Sequence, residues 1–97
     1  MKLVGVEPSW RKDKKLVATF DDGTVTHFGA RGYNDYVSYS EIGHNLADER
    51  RRRYVVRHRG REDWSDPRRA GTLSRYVLWE KRTVPAAVRA FKRRFGV

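Results

Sequence analysis

A run of closely spaced arginines limits how this chain can fold. Residues 48–64 read DERRRRYVVRHRGREDW, with seven arginines within residues 50–61. A guanidinium group stays charged and is almost never buried without a partner, so this stretch has to lie at the surface. The apolar residues between the arginines still need cover from water. An amphipathic helix satisfies both demands, and we predict one over about residues 46–59, capped by Asn45 and ended near Gly60.

The two faces of this predicted helix differ in chemistry. Ala47, Tyr54, Val55 and His58 recur at helical spacing, and we assign them to the face that packs on the core. Asp48 would occupy the third helical position, where an acid complements the cap and the helix dipole. The opposite side carries arginine where other helices carry mixed charge, with Arg50, Arg53 and Arg57 on one face and Arg52 and Arg59 nearby.

The positive charge is confined to the second half of the chain. The formal net charge is +10, yet residues 1–49 hold six Lys or Arg against eight Asp or Glu. Residues 50–97 hold sixteen against four, and fourteen of the sixteen are arginine. The planar guanidinium suits bidentate phosphate contacts. This asymmetry indicates a basic face for nucleic acid or another polyanion, the alternative being an Arg-rich surface that only keeps the protein in solution.

Length and composition predict one small domain. The 97 residues show no internal repeat, and we expect residues 1–30 to be mainly β and residues 45–95 mainly helical. With 38% hydrophobic and 35% charged residues the core has to be thin, and three Trp, five Tyr and four Phe supply much of its area. Cysteine is absent. No apolar run approaches the ~20 residues of a membrane span, and the N-terminus does not resemble a signal peptide, so we expect an intracellular protein without a membrane partner.

Alternating residues predict a β-hairpin near the N-terminus. In residues 15–20, Leu16, Ala18 and Phe20 fall on one face, and residues 24–28 alternate in the same way. Asp-Gly between two such segments is typical of a tight hairpin turn. Residues 3–6 could add a third strand that ends near Pro8. We expect this sheet to form an apolar floor for the helices.

Three tyrosines follow the hairpin. Residues 29–36 contain two glycines and leave the sheet in a bend, after which residues 40–45 connect to the basic helix. The glycines are too few for a phosphate-binding loop, and no strand-to-helix context accompanies them. We expect Tyr33, Tyr36 and Tyr39 to pack under the domain; the alternative is that one of them stacks on a base or bonds a phosphate.

Two more helices are predicted in the C-terminal third. Asp66 before Pro67 is a start signal for a short turn over residues 68–71, after which a second helix would begin at Gly71 or Thr72 and run through Leu73, Tyr76 and Val77. Thr83 would cap the last helix and Gly96 would end it. An apolar stripe at i, i+4, i+7 and i+11 marks its buried face: Val84, Val88, Phe91 and Phe95. The chain is therefore predicted to be an α+β domain, with an N-terminal β-hairpin or three-stranded sheet packed against three to four helices.

Two segments carry a resemblance to a known family. HFGARGYNDY (27–36) and RRRRYVVRHRGREDWSDPRRAGTLSRYVLWEK (50–81) resemble small basic proteins encoded by large DNA viruses of algae and amoebae, over roughly residues 14–95. That family has no assigned activity. The resemblance implies a viral setting, with the protein in the virion or in the host nucleus or cytoplasm. It also implies association with the genome or with other virion proteins.

The function we predict is sequence-tolerant binding of nucleic acid, most plausibly duplex DNA, in packaging or organisation of a viral genome. The exposed face of the basic helix offers arginine rather than short polar side chains, so phosphate contacts should dominate over base reading. No cofactor or metal is expected. The residues predicted to contact phosphates are Arg50, Arg53, Arg57, Arg61, Arg68, Arg69, Arg75, Arg89 and Arg93.

A small metal-dependent nuclease is one alternative. His58 and Glu62 are four residues apart, as are His44 and Asp48, and three further carboxylates are candidates: Asp35, Asp63 and Asp66. A nuclease needs several such groups around a divalent metal. No compact ligand motif is present, so we assign no catalytic or metal-binding residue and expect a protein that is not an enzyme.

A virion structural protein is the other alternative. Its arginines would bind acidic protein surfaces, and Trp10, Trp64 or Trp79 would anchor a partner. We expect Trp64 and Trp79 to be in the core, because few other large side chains could fill it.

Overall fold

Three antiparallel strands form the N-terminal third of the protein. The computed structural model describes all 97 residues, and its strands are β1 (Leu3–Pro8), β2 (Lys14–Phe20) and β3 (Val25–Ala30). They form one sheet in the order β1-β2-β3, with Leu16 paired to Phe28 across the hairpin. The predicted hairpin and the third strand are both confirmed.

Four helices follow the sheet. They are α1 (Tyr36–Ile42), α2 (His44–His58), α3 (Ala70–Leu73) and α4 (Val84–Phe95). Helix α3 widens at its end into a π-helical turn, Ser74–Leu78. The predicted α+β class is therefore confirmed. None of these helices combines the length and apolar composition needed to cross a membrane.

The core lies between the sheet and the C-terminal helices. Ala18, Phe20 and Phe28 supply the sheet side, and the predicted apolar floor is confirmed. The remaining buried members are Leu3, Leu73, Val77, Leu78, Ala87, Phe91 and Val97. Phe91 belongs to the predicted stripe of α4, whose other three residues pack against the same cluster. No residue of α1 or α2 belongs to this core, so the basic helix has to be held in another way.

Helix α1 was not expected, because residues 40–45 were interpreted as a connector. Asp35 accepts a hydrogen bond from the backbone N–H of Ser38 at 3.0 Å, and the Ser38 hydroxyl accepts one from the backbone N–H of Asp35 at 2.9 Å. This reciprocal cap starts a helix although its residues include a valine and two tyrosines, which have modest helix propensity.

Helix α2 begins two residues earlier than predicted, and the predicted cap is wrong. Gly43 lies between the two helices in an extended conformation (φ −178°, ψ 138°), so Asn45 and Asp48 are not the capping pair. The Gly43 N–H donates to the Tyr39 carbonyl, and its own carbonyl accepts from the Ala47 N–H. One glycine thus ends α1 and starts α2. The predicted end is correct to one residue, since His58 is the last helical residue.

Of the two other predicted helix caps, Thr83 is confirmed and Asp66 is wrong. Thr83 caps α4 as predicted, accepting from the Ala86 N–H, and Gly96 ends that helix in a left-handed conformation (φ 68°). Asp66 does not cap a helix. Its carboxylate closes a turn by accepting from the Arg68 N–H at 3.0 Å. Helix α3 begins at Ala70, within two residues of the start predicted at Gly71 or Thr72.

The three tyrosines after the hairpin have different environments. Tyr36 is buried and Tyr39 is half-buried, as expected. Tyr33 is 74% exposed, so the prediction that it packs is wrong. It lies in the turn between β3 and α1, after Gly32 (φ 93°), where neither the sheet nor a helix can cover it.

The close approach of β3 to the π turn requires glycine at position 29. Gly29 has φ +81°, and a Cβ there would lie 2.6 Å from Leu78 Cδ1. We expect Gly29→Ala to lower the free energy of unfolding by about 3 kcal/mol, because strained backbone and overpacking each cost roughly 1–3 kcal/mol. Gly5→Ala in β1 is the matched control, since no atom lies within 4 Å of the added Cβ. Urea unfolding checks both variants, and equal effects would contradict this explanation.

Candidate nucleic-acid interface

Helix α2 is docked on the protein by a stack of aromatic rings. The Tyr54 ring lies on Trp79 with centroids 4.4 Å apart and planes 7° from parallel. Its other face is covered by the His58 ring, with centroids 4.3 Å apart. Ala47 and Tyr54 are the buried side chains of α2. The predicted inward face is therefore correct for Ala47 and Tyr54. Tyr54 packs on Trp79 and is not part of the aliphatic core.

Charged hydrogen bonds hold the first half of α2. Arg51 donates to the carbonyl of Glu80 at 2.9 Å. Asp48 accepts from the Tyr36 hydroxyl at 2.7 Å and from Arg82 at 3.1 Å. The hydrogen bond from Tyr36 holds the pKa of the Asp48 carboxyl below its usual range, with Arg82 and Arg51 adding to the effect. The ring stack and these bonds together fix the orientation of the helix.

The arginines at 50, 53 and 57 share one exposed face of α2. Their spacing of i, i+3 and i+7 places them side by side over two turns. Arg50 and Arg57 have no carboxylate within ion-pair distance, whereas Arg53 Nε lies 3.1 Å from Glu49 Oε1. Arg61 follows the helix and donates to the carbonyl of Arg57. Sequence spacing predicted this face, but not which of its charges are compensated.

Glu49 also binds an arginine on the far side of the helix. Its carboxylate accepts from Arg52 at 2.8 Å. The hydrogen bonds from Arg52 and then Arg53 lower the pKa of Glu49. Arg52 and Arg59 are exposed on the side of α2 that faces away from the Arg50 face. They provide a natural comparison for it.

The other predicted contact residues lie on separate elements. Arg68 pairs with Asp22 of the hairpin turn at 3.0 Å, and Arg69 lies 3.9 Å from Asp63. Arg89 and Arg93 are exposed on α4 and have no carboxylate partner. The structure thus brings Arg50, Arg53 and Arg57 onto one face of α2 and places Arg89 and Arg93, four residues apart, on one face of α4.

Arg75 is largely covered by its neighbours, unlike the other eight arginines predicted to contact phosphates. Its side chain is 16% exposed, and Nη1 donates to Glu80 Oε1 at 2.8 Å and to the Trp79 carbonyl at 3.2 Å. The guanidinium also lies against the rings of Trp64 and Tyr76, 5.5 and 4.9 Å from their centroids. Its charge is paired and largely covered, so Arg75 is not placed to contact a phosphate.

A groove of about 580 Å³ runs beside the arginine face of α2. Its lining includes Arg50, Arg53 and Arg57 of α2 and Lys14 and Lys15 of β2. Gly29, Tyr54, Leu78 and Trp79 also line it. Sequence reasoning missed the lysines, because they belong to the half of the chain that carries no excess positive charge.

Only part of the positive charge in this groove is free. Lys15 Nζ lies 2.6 Å from Asp35 Oδ2, which is itself buried. Lys14 has no carboxylate partner within ion-pair distance. The uncompensated cations that line the groove are therefore Lys14 of β2 and Arg50 and Arg57 of α2.

The candidate nuclease residues are spread over the molecule. His58 Nδ1 and Glu62 Oε1 are 3.5 Å apart at one end of the groove. Asp35 is engaged by Lys15, Asp63 accepts from Ser65, and Asp66 closes its own turn. Nowhere do three or more His, Asp or Glu side chains come together in an arrangement that could hold a metal ion.

The three tryptophans divide between the interior and the surface. Trp79 packs against the core, as expected. Trp64 is half-buried and meets Tyr76 edge-on, with ring centroids 6.5 Å apart. Trp10 is 71% exposed and places its ring edge-on to His27, with centroids 4.6 Å apart.

Arg75 should contribute to stability, unlike an exposed arginine of α4. We expect Arg75→Gln to lower the free energy of unfolding by about 2–3 kcal/mol, because hydrogen bonds to charged groups contribute roughly 1.5–3 kcal/mol. Arg93→Gln removes the same charge from an exposed, unpaired site and should cost less than about 0.5 kcal/mol. Urea unfolding of both variants measures the difference. Equal losses would show that the Arg75–Glu80 pair is not structural.

Stability should also fall at high pH through Tyr54. Burial raises the pKa of Tyr54 to about 12, whereas an unfolded tyrosine titrates near ~10. Between these values the unfolded chain loses a proton that the folded protein keeps, so stability is full below about pH 10 and is lost as the pH rises towards 12.

Unfolding measured across this range should show a loss of roughly 1–3 kcal/mol that is absent in Tyr54→Phe. That variant keeps the ring stack and removes the titrating hydroxyl, so other tyrosines and lysines contribute equally to both proteins. The same pH slope in both would exclude Tyr54 as the source.

Comparison with known proteins gives a family but no activity. No curated protein and no solved structure matches the chain, and no enzymatic family is indicated. One family model matches residues 4–58, which is more than half of the chain and extends from β1 to the last residue of α2. The matched segment contains the arginine face of α2 and both lysines of the groove. The chain belongs to a family of unknown function (DUF5754).

Proposed function

We propose that this protein binds nucleic acid through the arginine face of α2 and that its main ligand is duplex DNA. The observation that carries the proposal is that Arg50 and Arg57 are exposed on a docked helix with no carboxylate partner. A helix rise of about 1.5 Å per residue puts their Cα atoms roughly 10 Å apart. Two uncompensated guanidinium groups at a fixed separation suit a ligand with regularly spaced phosphates.

Binding should depend little on base sequence. The exposed face beside the groove presents Arg50, Arg53 and Arg57 but no Asn, Gln, Ser or Thr. Phosphate contacts set position and affinity, whereas reading a base edge needs side chains placed for specific donor and acceptor patterns. Arg61 extends the same charge beyond the helix and should add to affinity without adding preference.

Packaging or organisation of a genome is the role we propose for this binding. The likeness of residues 27–36 and 50–81 to small basic proteins of large DNA viruses supports a viral setting. We further propose that the protein acts by binding and not by cleaving nucleic acid. In the salt titrations described next, the duplex should be recovered intact with or without Mg²⁺.

Removing the two free arginines should flatten the salt dependence of duplex binding. Arg50→Gln combined with Arg57→Gln should weaken binding and reduce the slope of log K against log salt by about 1.8, since each lost phosphate contact changes it by ~0.9. Fluorescence anisotropy over a salt series measures both quantities. Duplexes of different sequence should lose affinity equally.

A second double variant separates position from total charge. Arg52→Gln combined with Arg59→Gln removes two arginines at the same i, i+7 spacing, one from α2 and one from the residue directly after it, and neither lines the groove. Arg52 pairs with Glu49, so this variant removes the same formal charge but only one unpaired arginine. It should change the salt slope by less than half as much. Equal slopes for the two double variants would mean that general charge attraction, rather than the Arg50 face, drives binding.

A further inference from the structure

The groove beside α2 has the size of a small-ligand site. Its volume of about 580 Å³ lies within the range of roughly 300–1,000 Å³ that is usual for sites binding cofactors and nucleotides. A duplex can lie across the mouth of such a groove but cannot enter it. A single strand, whose bases are not paired, can enter.

Unpaired cations line this groove from two elements that are distant in the chain. Lys14 on β2 and Arg50 and Arg57 on α2 are the lining cations without carboxylate partners. A chain of phosphates seated in the groove can therefore be contacted from both elements.

Tyr33 supplies a free aromatic face at the same groove. It lines the groove, it is 74% exposed, and its ring has neither an aromatic nor a cationic partner. The other two tyrosines of the lining are engaged: Tyr54 lies between His58 and Trp79, and the Arg50 guanidinium lies 5.5 Å from the centre of the Tyr39 ring. Tyr33 is thus the lining tyrosine whose ring is exposed and has no partner.

The backbone on both sides of Tyr33 is constrained. Gly32 precedes it at φ 93°, a conformation that favours glycine. Two residues later, Asp35 caps α1 and binds Lys15 at 2.6 Å. The contacts of Asp35 thus anchor the backbone two residues after the exposed ring.

We propose that the groove binds an unpaired nucleotide of single-stranded nucleic acid. Tyr33 stacks on the base, and Lys14, Arg50 and Arg57 contact the flanking phosphates. This inference rests on the proposed nucleic-acid binding and adds a preference for unpaired nucleotides. Base stacking tolerates any sequence, because every base has a π face. DNA and RNA share this chemistry, so oligothymidylate and oligouridylate serve as two arms of the test.

The decisive comparison is between Tyr33→Ala and Tyr33→Phe. Anisotropy titrations use a labelled single strand of about ten nucleotides and a duplex of equal length. Loss of one stacked base at about 1–3 kcal/mol corresponds to an affinity loss of roughly 5- to 150-fold. Tyr33→Ala should therefore weaken single-strand binding at least fivefold and change duplex binding less than twofold. Tyr33→Phe, which keeps the ring, should bind both like the unaltered protein.

An abasic strand tests the stacking contact directly. Deoxyribose-phosphate oligomers carry the phosphates without bases, so Tyr33→Ala should not weaken their binding, whereas Lys14→Gln should. Because Tyr33 is exposed, the variant should keep the Tm of the unaltered protein, which thermal unfolding checks.

The possible outcomes separate this inference from the proposed function. If Tyr33→Ala leaves single-strand affinity unchanged, or weakens single-strand and duplex binding equally, the groove assignment is overturned while duplex binding stands. If the single strand binds with the expected Tyr33 dependence and the duplex does not bind, the inference stands and the duplex proposal falls. If neither binds, both are overturned.

Discussion

The nearly parallel stack of Tyr54 on Trp79 is the aromatic contact that docks the basic helix on the protein. A helix with so many arginines has few side chains that can be buried, and α2 buries only Ala47 and Tyr54. Such a stack contributes about 0.5–1.5 kcal/mol beyond the area it removes from water. The aliphatic core packs on Trp79 but contains no residue of α2. The arginine face therefore keeps its orientation through this stack together with the hydrogen bonds of Arg51 and Asp48.

The acidic residues divide the arginines into two functional groups. Asp48 and Glu80 pair with four of the arginines, namely Arg51, Arg75, Arg82 and Arg94. Arg50 and Arg57 have no carboxylate within ion-pair distance. A net charge of +10 is thus not spread evenly over the surface. Its uncompensated part includes three cations that line one groove: Lys14, Arg50 and Arg57.

Local patterns predicted the elements that are determined locally. The hairpin followed from alternation around Asp-Gly, and α4 followed from its apolar stripe between Thr83 and Gly96. Helix α1 was missed because its residues have modest helix propensity. The signal that could have found it is the pair Asp35 and Ser38, whose side chains and backbones cap each other. The start of α2 differs from the prediction because α1 was missed: Gly43 ends α1 and is also the cap of α2.

The groove could not be predicted in this way. Its lining includes residues of β2 and α2, which are separated by two other elements in the chain, and only the packed structure places Lys14 and Arg57 in the same groove. The carboxylate partner of each arginine likewise depends on the packed structure and could not be predicted from the sequence. In the sequence, Arg75 could not be told from the exposed arginines. In the structure it pairs with Glu80 and lies against the rings of Trp64 and Tyr76.

The π-helical turn at Ser74–Leu78 restricts how many residues this part of the chain can contain. Such a turn holds one residue more than an α-helical turn, and each residue along a helix rotates the following side chains by about 100°. Deleting one residue here would regularise the helix and swing Trp79 and Glu80 away from Tyr54 and Arg75. Surface loops usually tolerate changes of length. Natural variants of this protein should therefore vary in length at the hairpin turn well before they do so between Ser74 and Leu78.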